Sequence, residues 1–119
     1  MKEDNLIEKL KVAVFEKIIP EIIELRAELY KEGTISFCMS ENFVAITLYS
    51  DNILRFFRLN GESVVVTKEN TTNHKFIIEF SKSAKKKLDE LRKEKEEILE
   101  IINVQIPYKK KLLVEKYKN

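Results

Sequence analysis

The residue types that carry most enzyme chemistry are scarce here. Histidine occurs once, at His74, cysteine once, at Cys38, and aspartate only at positions 4, 51 and 89. A zinc site draws three or four ligands from His, Cys and carboxylates, so one His and one Cys are too few. The three aspartates fall in separate segments and suggest no paired-carboxylate magnesium site. A Cys38–His74 nucleophile pair would need the ends of two separate segments to meet, which the spacing does not demand. Two glycines, Gly33 and Gly61, cannot build a phosphate-cradling loop. The sequence therefore predicts a protein that is not an enzyme, with no catalytic residue, cofactor or metal.

Basic and aromatic residues offer a different chemistry. Arg55-Phe56-Phe57-Arg58 sets two guanidiniums and two rings on one short segment, and Lys85, Lys86 and Lys87 form a cluster, as do Lys109, Lys110 and Lys111. Single-stranded nucleic acids are held by such combinations, with bases stacked on rings and phosphates tracked by cations. The net charge of +2 is unevenly spread. Residues 1–33 carry six basic and eight acidic groups, residues 34–81 four and five, and residues 82–119 twelve and seven. The acids of the last third dilute the field that a phosphate backbone would feel, so nucleic-acid binding through Arg55, Arg58, Lys85, Lys86, Lys109, Lys110 and Lys111 is the alternative expectation.

The elements that must position these residues can be read from periodicity. The 119 residues fit one domain that buries roughly 65% of its unfolded surface. From Asn5 to Tyr30, Ile7, Leu10, Val14, Ile18, Ile22, Leu25 and Leu29 recur at steps of three and four. They predict a long amphipathic helix. Asn5 and Glu8 have capping-box spacing, Pro20 predicts a kink, and Gly33 predicts the C-terminal cap.

Between Thr34 and Phe80, Glu41-Asn42, Asp51-Asn52, Asn60-Gly61 and Asn70-Thr71-Thr72-Asn73 interrupt runs rich in Val, Ile, Phe and Tyr. Asn, Asp and Gly tolerate the positive φ of tight hairpins, so these interruptions predict turns. Five strands follow, the last from the alternation of Phe76, Ile78 and Phe80 with Ile77, Glu79 and Ser81. Ser81 or Ser83 then caps a second helix with a stripe of Ala84, Leu88, Leu91, Ile98 and Ile102, interrupted by Lys95 and stopped by Pro107. The remainder, Tyr108 to Asn119, is a basic tail with an apolar Leu112-Leu113-Val114 centre, a short docked helix or a strand.

The predicted fold is a two-layer α+β domain: an antiparallel five-stranded meander flanked by a long kinked N-terminal helix and a long C-terminal helix. Its segments are 1–33 helix, 34–81 meander, 82–107 helix and 108–119 tail. A second apolar set, Tyr49, Phe56 and Ile77 with Ala45, is left over on the sheet. Surplus apolar surface of this kind predicts a partner, so Tyr49, Arg55, Phe56, Arg58 and Ile77 are the candidate partner-binding residues. A homodimer would cover that face, as would the tail folding back over it. Projecting ends such as Leu91–Ile106 could also pair across a two-fold axis. The lone cysteine fits a reducing cytoplasm, and no apolar run approaches the roughly 20 residues of a membrane span. The expected function is a protein-interaction module: an inhibitor, adaptor or assembly subunit.

Overall fold

The computed structural model describes residues 2–29, 31–39, 45–58 and 60–117. The elements run α1 (Lys2–Val12), a π-helical segment (Ala13–Ile18), α2 (Ile19–Glu28), β1 (Ile35–Phe37), β2 (Ile46–Leu48), β3 (Leu54–Phe57) and β4 (Ser63–Val65). Then come α3 (His74–Glu100), a second π-helical segment (Ile101–Gln105) and α4 (Ile106–Tyr117). The protein is α+β, with two long helical stretches and one antiparallel sheet.

The first helical stretch passes through Pro20 instead of ending there. Proline lacks an N–H and its ring crowds the carbonyl four residues back. The wide turn just before it relieves both conflicts: the Ile19 N–H donates to the Val14 carbonyl, five residues back. This turn also rotates the apolar stripe by one residue. Val14 is followed inside by Ile19 and Ile22, while Ile18, expected on the stripe, is only half-buried. Asn5 lies inside α1, which begins at Lys2, so the capping box expected there does not mark the helix start. Gly33 is not the cap either. The Lys31 N–H donates to the Arg26 carbonyl at 3.1 Å, so the helix closes before Gly33, which follows at φ +95° in the connection to β1.

The sheet has four strands among the described residues, in the order β1-β2-β3-β4, every pair antiparallel. Two of the expected hairpin turns are present. Asn52 adopts φ +66°, its N–H donating to the Tyr49 carbonyl, and the Ile53 N–H donates to Asp51 Oδ1 at 3.0 Å. Gly61 adopts φ +86°, its N–H donating to the Arg58 carbonyl at 2.9 Å. The turn expected at Glu41-Asn42 and the strand residue Val44 lie outside the described residues.

Asn70 to Asn73 does not close a hairpin. The Asn70 side chain accepts from the Thr67 N–H and donates to the Val65 carbonyl, the Thr71 hydroxyl donates to the Thr67 carbonyl, and Asn73 Oδ1 accepts from the Phe76 N–H at 3.0 Å. The last of these caps α3. The cap therefore sits eight residues before Ser81, and the fifth strand does not exist: residues 76–80 form the first turns of α3. A helical step reconciles the pattern, since Ile77, Phe80, Ala84, Leu88 and Leu91 are all buried at intervals of three and four, while Ile78 is exposed.

The core gathers Val14, Ile22 and Leu25 from the first helical stretch and Ile77, Phe80 and Ala84 from α3. Phe37, Ile46, Leu48, Leu54 and Val66 join them from the sheet side. At its centre Phe80 meets the Phe37 ring edge-on at 5.4 Å and also contacts Phe15 and Phe76. One sheet face is thus covered by helices. Three ion pairs on the rim latch α2 to α3 or hold the connection after α2 against it. Arg92 binds Glu21 with two N–H donors at 2.9 and 2.8 Å, Lys95 meets Glu28 at 2.5 Å, and Lys31 meets Glu94 at 2.8 Å. Lys95, the interruption in the apolar stripe, stands where α2 ends and α3 loses its packing partner.

Candidate interaction surfaces

Beyond Lys95 the helix continues with every position from 96 to 111 exposed among the described residues. Pro107 does not stop it, because the Ile106 N–H donates to the Ile101 carbonyl five residues back, the same wide turn that precedes Pro20. Among the described residues, α4 touches only the π-helical segment, and that segment touches only α3 and α4. The tail neither folds back over the sheet nor docks as a strand. It prolongs the helix, giving an arm of ~30 Å over residues 97–117 and a molecule measuring 73 × 37 × 24 Å. Apolar side chains crowd this arm without cover: Ile98, Leu99, Ile101, Ile102 (53% exposed), Val104 (59%), Ile106 and Tyr108 (63%). Acids stand before or among the first of them, at Glu94, Glu96, Glu97 and Glu100, and Lys109, Lys110 and Lys111 after them.

The outer sheet face is the second surface. Strand alternation sends Leu54 and Phe56 toward the core and Arg55 and Phe57 outward. Phe57 is 49% exposed and meets the Tyr49 ring edge-on at 6.2 Å. The Arg55 guanidinium lies 5.4 Å from the Tyr49 ring centre and bonds Asp51 at 2.7 Å. That guanidinium, helped by the Ile53 N–H, holds the Asp51 carboxyl below the usual carboxylate range, and Asp51 in turn raises Arg55. Val65 is exposed on the adjacent strand, where Arg55 and Val65 are register partners.

The structure separates the five residues expected to bind a partner. Tyr49 and Arg55 share the outer face, joined by Phe57 and Val65. Phe56 packs against the core, and Arg58 is exposed at the end of β3. Ile77 is only 1% exposed, because it belongs to a helix and not to an outer strand, and it offers a partner no surface. The surplus face expected from Tyr49, Phe56, Ile77 and Ala45 therefore does not form. Of the cationic set, Lys85 and Lys86 lie on exposed positions of α3 and Lys109, Lys110 and Lys111 on the arm, on different elements from Arg55 of β3.

Other concavities are open grooves. One, about 520 Å³, runs between β4 and the entry to α3, walled by Phe56, Val64, Val66 and Phe76 with Arg58 among its lining residues. A smaller one of about 300 Å³ places Cys38 and Met39 beside Glu79, Lys82, Ser83 and Lys86 of α3. His74 occupies the first turn of α3. Among the described residues, no group of three or more His, Cys, Asp or Glu is placed to hold a metal ion, and no helix is long and apolar enough to cross a membrane.

Fold and surfaces together define an α+β protein with a helix-covered antiparallel sheet and a projecting helical arm. No family model matches the chain, and no match is found among the curated proteins or the solved structures.

Proposed function

We propose that this protein is a non-enzymatic interaction module, an inhibitor, adaptor or assembly subunit, whose arm docks a partner protein in a reducing cytoplasm. One observation carries this reading: a continuous helix leaves the body bearing large exposed apolar side chains that, among the described residues, no other element covers. Isolated helices are marginal in water, and most helical stability in proteins comes from packing an apolar face. An arm of this composition is completed by a second chain. A photo-crosslinking amino acid at Ile102, expressed in the cells that make the protein, should trap a polypeptide adduct. The same group at Lys75, exposed on the body, should not. Absence of any adduct from Ile102 would overturn the proposal.

The outer sheet face supports a second reading, in which Tyr49 and Phe57 offer rings to a single-stranded nucleic acid and Arg55 its charge. The observation in its favour is that these three share one open face. Against it, Arg55 is already engaged by Asp51, and the lysine clusters lie elsewhere. If it holds, affinity for a single-stranded oligonucleotide should fall with salt at a log–log slope of about −0.7 per neutralised phosphate. No binding at low salt removes it.

A further inference from the structure

We propose that the arm's occupant is a second copy of this chain, paired antiparallel about a two-fold axis between Ile102 and Ile106. This rests on the interaction reading above and identifies its partner. Ile98, Ile102 and Ile106 recur every four residues. In an α-helix such a row drifts one way around the axis, and the wide turn at Ile101–Gln105 drifts back, so the three stay in one seam.

Charge fixes the orientation. Glu97 stands seven residues before position 104 and Lys111 seven after it, with Glu100 and Lys109 inside them. An antiparallel pair therefore lays the lysine triplet of each copy over the glutamates of the other, at both ends of the seam. A parallel pair would set acids on acids and lysines on lysines, which costs several kcal/mol in a close interface. An anionic membrane surface is a poorer match, because it would attract the lysines and repel the glutamates on the same helix.

Surface area agrees. The accessible surface is 8917 Å², about 2,200 Å² above that of a compact monomer of this mass. A standard interface removes about 800 Å² from each partner. The radius of gyration, 19.8 Å, likewise exceeds the roughly 13.5 Å of a compact domain of this length. The excess is what a projecting arm leaves uncovered and what pairing of two arms removes.

The purified full chain should show by light scattering, between micromolar and 100 micromolar, twice its mass of 14.1 kDa. Ile102→Asp with Ile106→Asp should give a monomer with unchanged unfolding of the body, since neither residue touches it. Replacing Lys109, Lys110 and Lys111 together by Glu should weaken the dimer about 100-fold. Mixing that variant with one carrying Lys at Glu96, Glu97 and Glu100, which leaves the Lys31–Glu94 pair of the body intact, should restore pairing. Orientation is read from disulfide trapping in a Cys38→Ser background: copies with Glu97→Cys should link to copies with Lys111→Cys and not to themselves. Self-linkage at position 97 would overturn the antiparallel arrangement. A monomer at 100 micromolar, including one that sediments with phosphatidylserine vesicles, would overturn self-pairing. If that monomer still yields Ile102 adducts with another protein, the interaction reading survives. Without such adducts, both fall.

Discussion

Replacing Phe80 by alanine should destabilise the protein by about 3–5 kcal/mol, the range for truncating a large buried aromatic ring. Phe80 is fully buried and shares the core centre with the rings of Phe15, Phe37 and Phe76. It joins the N-terminal helical stretch, the first strand and α3 in one contact set, so surrounding groups cannot all collapse into the vacancy. Total stability for a chain this long is on the order of 6–18 kcal/mol, and the variant should remain folded at low temperature. Its melting temperature should fall by roughly 10–20 °C in a circular-dichroism melt. Ile78→Ala is the informative control. In a strand over residues 76–80 the side chains of Ile78 and Phe80 would share a face and cost alike. In the observed helix Ile78 is exposed, and its loss should cost below about 1 kcal/mol. Equal losses at both positions would contradict the helical assignment of this segment.

Arg26 should give the second large effect. It is only 8% exposed, and its guanidinium donates to the Tyr49 carbonyl at 3.1 Å and to Asn52 Oδ1. These bonds tie the last turn of α2 to the β2–β3 turn, where Asn52 holds its positive φ. A cation is also favourably placed near a helix C-terminus. Arg26→Met keeps most of the aliphatic stem but leaves both acceptors without their charged donor, and hydrogen bonds to charged groups contribute roughly 1.5–3 kcal/mol. A urea titration should show that loss at an unchanged slope, with Arg26→Ala costing more through lost packing. Arg26→Lys should recover only part, because a single ammonium cannot span both acceptors as a planar fork does. If Arg26→Met matches the parent protein, the clamp contributes nothing.

Two of the hairpin turns were legible because their chemistry is local. Asp51-Asn52 and Asn60-Gly61 specify positive φ through the residues themselves. Phe76 to Phe80 is too short to separate a period of two from one of 3.6, so its alternation predicts a strand where the chain forms a helix. The deciding signal lay further along: Ile77 and Phe80 stand in helical phase with Ala84, Leu88 and Leu91, and Asn73 is a better cap than either serine. At Pro107 the sequence predicts a stop, since no sequence rule shows that a wide turn will carry the helix through.

The candidate surfaces divide the same way. That Lys95 interrupts an apolar row was visible, as was the surplus of apolar side chains. Which of them are surplus was not. Ile77, expected on an open strand face, lies in the core, whereas Ile102, expected on a packed helical stripe, lies on a bare arm. Phe57 and Val65 are not among the partner-binding residues the sequence predicts, because strand alternation alone does not say which face the helices cover.

The sequence by itself determined an α+β chain with little catalytic inventory, the positions of two tight turns, at Asp51-Asn52 and Asn60-Gly61, and a basic excess in its last third. These are local matters of φ preference, residue type and spacing. Only the tertiary structure decided where the helices stop packing on one another. Burial depends on which elements reach a given point, and α2 reaches no further than Glu28. From that boundary onward the same apolar stripe that built the core becomes an exposed arm.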